Sequence, residues 1–149
     1  MGSYTRLVSH VTFSTKNRIP SLDSELKPLL LPYLAGVARG HECTPIIVNA
    51  VPDHVHLLVQ MPPKLALSEF LRILKAASSR WVHENHPGKN QFSWQEGFGA
   101  FSVSDEKVEH VRRYIANQEV HHRTKTFQDE FLEILRQEGV PYDERYIWR

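Results

Sequence analysis

The sequence predicts an α+β fold of the ferredoxin-like (split βαβ) type, an antiparallel sheet with helices on one face plus additional C-terminal helices. Short segments rich in β-branched and aromatic residues are typical of strands, and longer segments with apolar residues three and four positions apart are typical of helices. These segments follow one another in the order β-α-β-β-α-β. The length of 149 residues fits a single domain, 1–149.

The first strand is predicted over residues 4–14, where apolar side chains fall on one parity, and the first helix over residues 21–40. Pro28 is compatible with a first helical turn, whereas Pro32 removes a hydrogen bond from a helix interior. We therefore expect this helix to begin late or to be kinked.

A β-hairpin is predicted next, because two apolar runs, residues 45–51 and 54–61, are separated by the turn-forming pair Pro52-Asp53. Ser68 is the predicted N-cap of a second helix, which ends before an Asn-His-Pro-Gly segment. Hairpin and helix together extend the split βαβ order.

The last third of the chain contains a short predicted strand, residues 100–103, and two further helices. Ser104 is the predicted cap of the third helix, with Tyr114 in its middle. Thr126 is the predicted cap of the fourth, and Gly139 its C-terminal stop.

Composition narrows the classes of function without choosing one. A formal net charge of +1 predicts neither a nucleic-acid nor a membrane partner, so a DNA site requires local clustering of basic residues. The sequence has no apolar run long enough for a membrane span and no apolar segment of a secretory signal at its start, so we expect a cytoplasmic protein without a membrane partner. Cys43 is the only cysteine, which excludes an internal disulfide and a multi-cysteine zinc site.

His54 and His56 are two residues apart on a predicted strand, so both imidazoles lie on one face and can bind one ion. The alternative is that both are polar residues on the solvated face of a half-exposed strand, and the pair alone does not decide between these interpretations. Asp53 could orient an imidazole, but we expect it to serve the turn.

Tyr114 and Gln118 are four residues apart on the predicted third helix and therefore share a face. His121 and His122 follow one turn later. The alternative is a half-buried tyrosine on an amphipathic helix with a polar edge. A tyrosine hydroxyl can, however, form a covalent phosphodiester when a metal ion polarises the phosphate. Nitrogen and oxygen ligands together suit Mn²⁺ or Mg²⁺, although histidine pairs also attract Zn²⁺, Co²⁺ and Ni²⁺.

The segments DHVHLLV (53–59) and YIANQ (114–118), in this order and at this separation, resemble the single-tyrosine HUH transposases of small bacterial and archaeal insertion sequences, the IS200-like family. The likeness extends over nearly the whole chain, from VTFSTKNR through LKAASSRW and WQEGFGAFSVS to FQDEFLEILRQEGVPYDERYIW.

The resemblance implies a metal-dependent transposase that cleaves and rejoins single-stranded DNA through a 5′-phosphotyrosine. Carried over residue by residue, it makes Tyr114 the nucleophile. His54, His56 and Gln118 become the ligands of Mg²⁺ or Mn²⁺. Family members act as homodimers in which the tyrosine helix of one subunit completes the HUH site of the other. The resemblance therefore predicts that His54 and Tyr114 meet across two chains.

The resemblance also implies a DNA partner, single-stranded DNA with hairpins at the element ends. Basic residues near the predicted site are the candidates for phosphate contacts. They are Lys16, Arg18, Lys75, Arg80, Arg112 and Arg113. We expect Trp81 to lie in the core and Trp94 to pack its loop. The histidine pairs 83/86 and 121/122 are expected at the surface or on DNA rather than at a second metal.

Two other classes of function stay open at this point. One is a ferredoxin-like nucleic-acid-binding module that does not cleave its ligand, including a domesticated transposase. The other is a metal-dependent hydrolase or phosphodiesterase that activates water at the histidine pair and does not need Tyr114.

Overall fold

A computed structural model describes residues 1–148 of the chain. Nine helices and strands make up this part of it, besides three short 3₁₀ turns. They are β1 (Val8–Ser14), α1 (Lys27–Gly40), β2 (Thr44–Val51), β3 (His54–Gln60), α2 (Leu67–Asn85), β4 (Gly99–Ser102), α3 (Val108–Ala116), α4 (Gln118–His121) and α5 (Phe127–Glu138).

The four strands form one antiparallel sheet in the order β2-β3-β1-β4, which confirms the predicted ferredoxin-like topology. β2 and β3 form the predicted hairpin, with Val51 opposite His54 across the Pro52-Asp53 turn. In the central pair, Val11 of β1 faces Leu57 of β3. The two inner strands thus lie between neighbours on both sides.

The main hydrophobic core lies between one face of the sheet and helices α1 and α2. Phe13 and Leu57 project from the sheet into this core, where they meet Leu34 of α1 and Phe70 of α2, all at most 1% exposed. Burial of large apolar side chains is the main favourable contribution to folding. Trp94 packs edge-on against Phe13, with ring centroids 4.9 Å apart, as expected of a packing tryptophan.

The C-terminal helices cover the opposite face of the sheet. Leu58 of β3 and Ile115 of α3 are both fully buried there, and the Asn49 side chain of β2 donates a 2.8 Å hydrogen bond to the Ile115 carbonyl. The predicted additional helices are therefore not peripheral, because they enclose the second face and give the sheet two covered sides.

Several boundaries differ from the predictions. β1 begins at Val8 rather than at residue 4, and Tyr4 is 87% exposed. α1 begins late, at Lys27, as one of the two expected arrangements. Pro28 then lies in its first turn, where a missing N–H costs no helical hydrogen bond, while Pro32 is inside the helix.

Two predicted caps are wrong and one is confirmed. α2 begins at Leu67 after Ala66, which places Ser68 inside its first turn. Ser104 precedes a 3₁₀ turn without a side-chain hydrogen bond to the backbone. The Thr126 hydroxyl, in contrast, accepts a 3.1 Å hydrogen bond from the backbone N–H of Asp129, so it caps α5. The helix ends at Gly139 in the left-handed conformation (φ 67°), as predicted.

The third predicted helix is broken after Ala116. Asn117 leaves the helical conformation (φ −98°, ψ 22°), and α4 starts directly behind it. Tyr114 therefore lies near the C-terminal end of α3 rather than in its middle.

Among the described residues, no helix combines the length and the apolar character needed to cross a bilayer. The cytoplasmic location and the extent of the single domain, 1–149, stay predictions.

Candidate metal centre

His54 and His56 lie on the sheet face that the C-terminal helices cover. Both side chains are 0% exposed, so the alternative of two solvated polar residues does not describe them. Their partners across β1 are Ser14 and Thr12. The two imidazoles thus lie on one face of the strand, as predicted, and this face is buried.

Each of these histidines uses its Nδ1 atom to contact a polar neighbour. Nδ1 of His54 lies 2.7 Å from a carboxylate oxygen of Asp53, and Nδ1 of His56 lies 2.8 Å from Nε2 of the buried His10. The Asp53 carboxylate therefore contacts an imidazole as well as occupying the turn, contrary to our expectation. Both Nε2 atoms are left facing the interior of the site.

Glu130 of α5 occupies the centre of the site, with 1% of its surface exposed. Its Oε1 atom lies 2.9 Å from Nε2 of His56 and 3.2 Å from Nε2 of His54. Nε2 of His122, which follows α4, is also 3.2 Å away. Three imidazoles from two regions of the chain thus converge on one carboxylate oxygen.

The second oxygen of this carboxylate accepts hydrogen bonds from Tyr114 and Gln118, the tyrosine and the glutamine identified from the sequence. Tyr114 donates a short hydrogen bond from its hydroxyl to Glu130 Oε2. Gln118 is 0% exposed and donates to the same oxygen from Nε2 over 3.1 Å. The His121 ring stacks on the Tyr114 ring at a centroid distance of 4.7 Å. The break between α3 and α4 does not separate Tyr114 from Gln118.

The sequence interpretation missed Glu130 and misplaced His122, which was expected at the surface or on DNA. A signal for Glu130 was present, because Phe127, Glu130 and Ile134 are spaced along one face of α5, and all three are buried. A carboxylate within an apolar helical stripe is rare unless it is paired. No comparable pattern marks His122, which lies in the loop between α4 and α5.

Burial acts differently on the histidines of the site. It lowers the pKa of His56, and burial together with the neighbouring His56 lowers the pKa of His10 to about 3. Burial alone would also lower the pKa of His54, but its contacts with the Asp53 and Glu130 carboxylates outweigh burial and raise that pKa. His56 and His10 are therefore neutral imidazoles, a state in which a ring nitrogen can act as a metal ligand.

The pKa values of the Glu130 carboxylate and the Tyr114 phenol are shifted in opposite directions. Burial would raise the pKa of Glu130, but its contacts with His122, His54 and His56 hold that pKa well below its usual range. Burial and the adjacent Glu130 charge both raise the pKa of the Tyr114 hydroxyl. Glu130 is therefore ionised and Tyr114 protonated at neutral pH.

The donor set fits a divalent cation. One ligand atom from each of His54, His56, His122 and Glu130 lies within 4.8 Å of the others. Within residues 1–148, the buried Nε2 atoms of His54 and His122 and Oε1 of Gln118 have no hydrogen-bond partner. Buried polar atoms without partners are costly, and a cation would satisfy nitrogens placed in this way.

An open cleft of about 820 Å³ leads to Tyr114 and Glu130. Lys107, His110, His121 and Lys125 line it together with acidic and apolar residues. The Tyr114 side chain is therefore accessible from outside although it is half-buried.

The six basic residues predicted to contact DNA are dispersed. Lys75 donates its ammonium protons to the carbonyls of Gln95, Glu96 and Gly97, at 2.9, 3.3 and 2.6 Å, so it holds a loop of the protein instead of being free. Arg112 is paired with Glu109, and Arg113 lies 3.5 Å from the same carboxylate.

The other three basic residues are not paired with a carboxylate in the part of the chain that the structure describes. Lys16 and Arg80 are exposed, and the Arg18 guanidinium lies 5.7 Å from the centre of the Trp148 ring. Their contacts with DNA stay predictions.

Residues 3–118, which contain the histidine pair, Tyr114 and Gln118, match the family described as "Transposase IS200 like". The chain belongs to the IS200-like transposase family. Members of this family are DNA strand-transfer enzymes, so the passive binding module and the hydrolase lose their support. The match ends before His122 and Glu130.

Individual relatives agree with this assignment. The chain is 27% identical over 122 residues to the ISDra2 transposase TnpA of Deinococcus radiodurans, covering 78% of this chain and 87% of that protein. It is 24% identical over 114 residues to the transposase of insertion sequence element IS200 from Salmonella typhimurium, covering 73% and 74%.

Solved structures agree on the fold. A transposase crystal structure from Deinococcus radiodurans R1 superimposes with a TM-score of 0.62 at 27% identity, covering 79% of this chain and 95% of the other. A REP-associated tyrosine transposase bound to a REP hairpin has a TM-score of 0.61 at 21% identity, covering 82% and 74%.

The transposase brings His54 and Tyr114 to one site within a single chain, since both contact Glu130. The sequence interpretation expected them to meet across two chains. Because the structure contains one chain, it places α3 at the histidine pair of that chain, and the contact across two chains stays a prediction.

Proposed function

We propose that this transposase cleaves and rejoins single-stranded DNA at the ends of an insertion sequence through a 5′-phosphotyrosine on Tyr114. His54 and His56 would hold Mg²⁺ or Mn²⁺, with Gln118 as the third ligand that the resemblance implies. One observation carries the proposal: the Tyr114 hydroxyl and two buried imidazoles converge on the same carboxylate at the end of an open cleft.

The bonds exchanged in the proposed reaction balance. The Tyr114 oxygen forms a bond to the scissile phosphorus, and the bond from phosphorus to the 3′ oxygen breaks. The tyrosine loses its proton, and the departing 3′ oxygen gains one. A divalent cation, when bound at the imidazoles, supplies Lewis-acid polarisation of the phosphate. Rejoining reverses these changes with a 3′-OH as the attacking group, so it needs no nucleotide cofactor.

The side chains of the site prepare Tyr114 for this reaction. Glu130 accepts the hydroxyl hydrogen bond and fixes the direction of the phenol oxygen. The stacked His121 ring restricts the phenol ring. Because the pKa of Tyr114 is raised by burial and by Glu130, the nucleophile is protonated at rest. We infer that loss of this proton, which leaves negative charge on the Tyr114 oxygen, would be favoured by a cation held at the imidazoles.

The proposed DNA partner is a hairpin with an adjoining unpaired strand. The REP-associated relative is bound to a REP hairpin, which supports a hairpin ligand for this chain as well. The unpaired strand would enter the cleft, where Lys107 and Lys125 could contact phosphates.

The first experiment is a test for covalent adducts. Labelled single-stranded hairpin DNA from the genomic flanks of the gene is incubated with the protein and Mn²⁺ or Mg²⁺, and SDS-resistant complexes are counted. We expect an adduct that Tyr114→Phe and His56→Ala abolish. Tyr33→Phe is the matched control, because Tyr33 donates to the Ala77 carbonyl on the other side of the sheet; its adduct should be unchanged.

Each alternative outcome has a distinct meaning. An undiminished adduct in Tyr114→Phe would refute the assigned nucleophile. Repeated turnover without an adduct in the unmodified protein would indicate a hydrolase, and binding alone a passive module.

A homodimer with shared active sites is the assembly that the resemblance implies, and a mixing experiment tests it. Tyr114→Phe and His56→Ala proteins are combined and assayed for adducts. If Tyr114 acts on its own chain, as the intrachain geometry supports, each site in the mixture lacks one group and no adduct forms. An adduct on the His56→Ala chain would show that α3 serves the partner's site.

A further inference from the structure

His122 and Glu130 lie beyond residue 118, where the family match ends, yet both reach the centre of the site. We propose that these two residues complete the metal site begun by His54 and His56, so that three imidazoles and one carboxylate bind the cation. The inference rests on the proposed metal requirement and changes its ligands. The C-terminal part of the chain would then belong to the active site.

The contacts of the Nδ1 atoms support this assignment. Nδ1 of His122 lies 2.7 Å from the Lys125 carbonyl oxygen, which can only accept, so this nitrogen carries a hydrogen. Nδ1 of His54 is likewise placed to donate to the Asp53 carboxylate. Imidazoles that bind metals almost always donate their other N–H to a carboxylate or a carbonyl in this way.

The unpartnered nitrogens give the geometric reason for a cation. The Nε2 atoms of His54 and His122 lie 3.2 Å from Glu130 Oε1, and neither has a hydrogen-bond partner among the described residues. A divalent cation placed among these atoms would satisfy both nitrogens and the carboxylate oxygen.

Gln118 has a different position in this arrangement. Its Nε2 atom donates to Oε2 of Glu130, the oxygen that also receives the Tyr114 hydroxyl. The Nε2 atom of the amide therefore orients the carboxylate, while its Oε1 atom has no partner within residues 1–148 and stays available as a further oxygen donor. Glu130 then connects the metal through one oxygen to the nucleophile through the other.

The chemistry of the donors predicts which cations bind. Mg²⁺ prefers oxygen ligands and keeps several waters, whereas imidazole nitrogen suits Mn²⁺, Co²⁺ and Zn²⁺ better. Three imidazoles and one carboxylate therefore favour these transition metals over Mg²⁺.

The test is a Co²⁺ titration of the full-length protein, followed by visible absorption and by calorimetry. We expect His122→Ala and Glu130→Gln each to weaken Co²⁺ binding at least about tenfold, because even loss of a residue behind a ligand has effects of this size. His41→Ala, which removes an exposed histidine at the end of α1, is the control and should bind as the unmodified protein does. Competition should show displacement of Co²⁺ by Zn²⁺ but not by an equal concentration of Mg²⁺.

The outcomes separate this inference from the proposed function. If Gln118→Ala and His56→Ala lose Co²⁺ while His122→Ala and Glu130→Gln keep it, the ligand assignment is overturned and the proposed function stands. If the unmodified protein binds no cation, both are overturned. Circular dichroism establishes that each variant is folded. Should Glu130→Gln fail to fold, His122→Ala alone decides, since His122 lies at the edge of the site with 11% of its side chain exposed.

Discussion

The two faces of the sheet contrast sharply although the same strands build both. Against α1 and α2, the central strands present Val11, Phe13 and Leu57, each at most 1% exposed. Against α3–α5, the same strands present His54 and His56, which are just as deeply buried. One face is apolar, and the other encloses polar groups that need partners from the protein or from a bound ion.

The difference shows why a strand with a hydrophobic appearance can carry a site. Side chains alternate between faces along β3, so Val55 and Leu57 can serve the core while the two histidines serve chemistry. Burial of the apolar side chains stabilises the fold on both faces, whereas burial of the polar groups does not by itself. Buried imidazoles and an ionised carboxylate are expensive to desolvate, and they persist because each contacts another polar group.

Substitutions at two neighbouring positions of β3 should affect stability on one face of the sheet and adduct formation on the other. Leu57→Ala removes a fully enclosed side chain and should lower the free energy of unfolding by about 2–5 kcal/mol. His56→Ala should abolish the covalent adduct, and its stability should change less. Urea titrations and adduct assays below each variant's unfolding transition provide the measurements.

The contrast fails if the two phenotypes coincide. Loss of adduct formation by folded Leu57→Ala, or a larger destabilisation by His56→Ala than by Leu57→Ala, would show that core and site are not independent.

The fold could be predicted largely because its signals are local. Alternation along β1, the Pro-Asp turn and the spacing of apolar residues each depend on neighbours in sequence, and the sheet order follows from them. The cap at Ser68 was wrong because the helix already begins at Leu67, and the cap at Ser104 was wrong because its hydroxyl makes no capping hydrogen bond to the backbone.

The site could be predicted only in part because half of it depends on tertiary structure. His54, His56, Tyr114 and Gln118 are close within two short motifs, and the structure brings these motifs together. His122 and Glu130 come from segments that meet the sheet only after α3–α5 fold across it. No local spacing in the sequence connects Glu130 with a histidine 74 residues away.

The packing of α5 against the polar face can be disturbed at Gly99 of β4, which lies at the edge of the sheet. A Cβ atom there would lie 2.5 Å from the Phe131 ring of α5, a distance that real contacts do not show. Gly99→Ala should therefore displace α5 and cost about 1–3 kcal/mol of stability.

Gly97→Ala is the matched control for this displacement. A Cβ atom at Gly97 would meet nothing within 4 Å, so thermal unfolding of that variant should be unchanged. Equal unfolding temperatures for the two variants would contradict the close packing of α5 on β4.

The smallest expected effect concerns the start of α5, which holds Glu130 in its first turn. Thr126 caps this helix with its hydroxyl, and its carbonyl accepts a 3.0 Å hydrogen bond from the Glu130 N–H. Thr126→Ala should cost about 1 kcal/mol, whereas Thr126→Ser retains the oxygen and should cost less. Both variants should still form the adduct, because the buried Phe127 and Ile134 hold α5 in place. Equal losses for alanine and serine, measured in chemical unfolding, would mean that the methyl group and not the cap stabilises this end of the polar face.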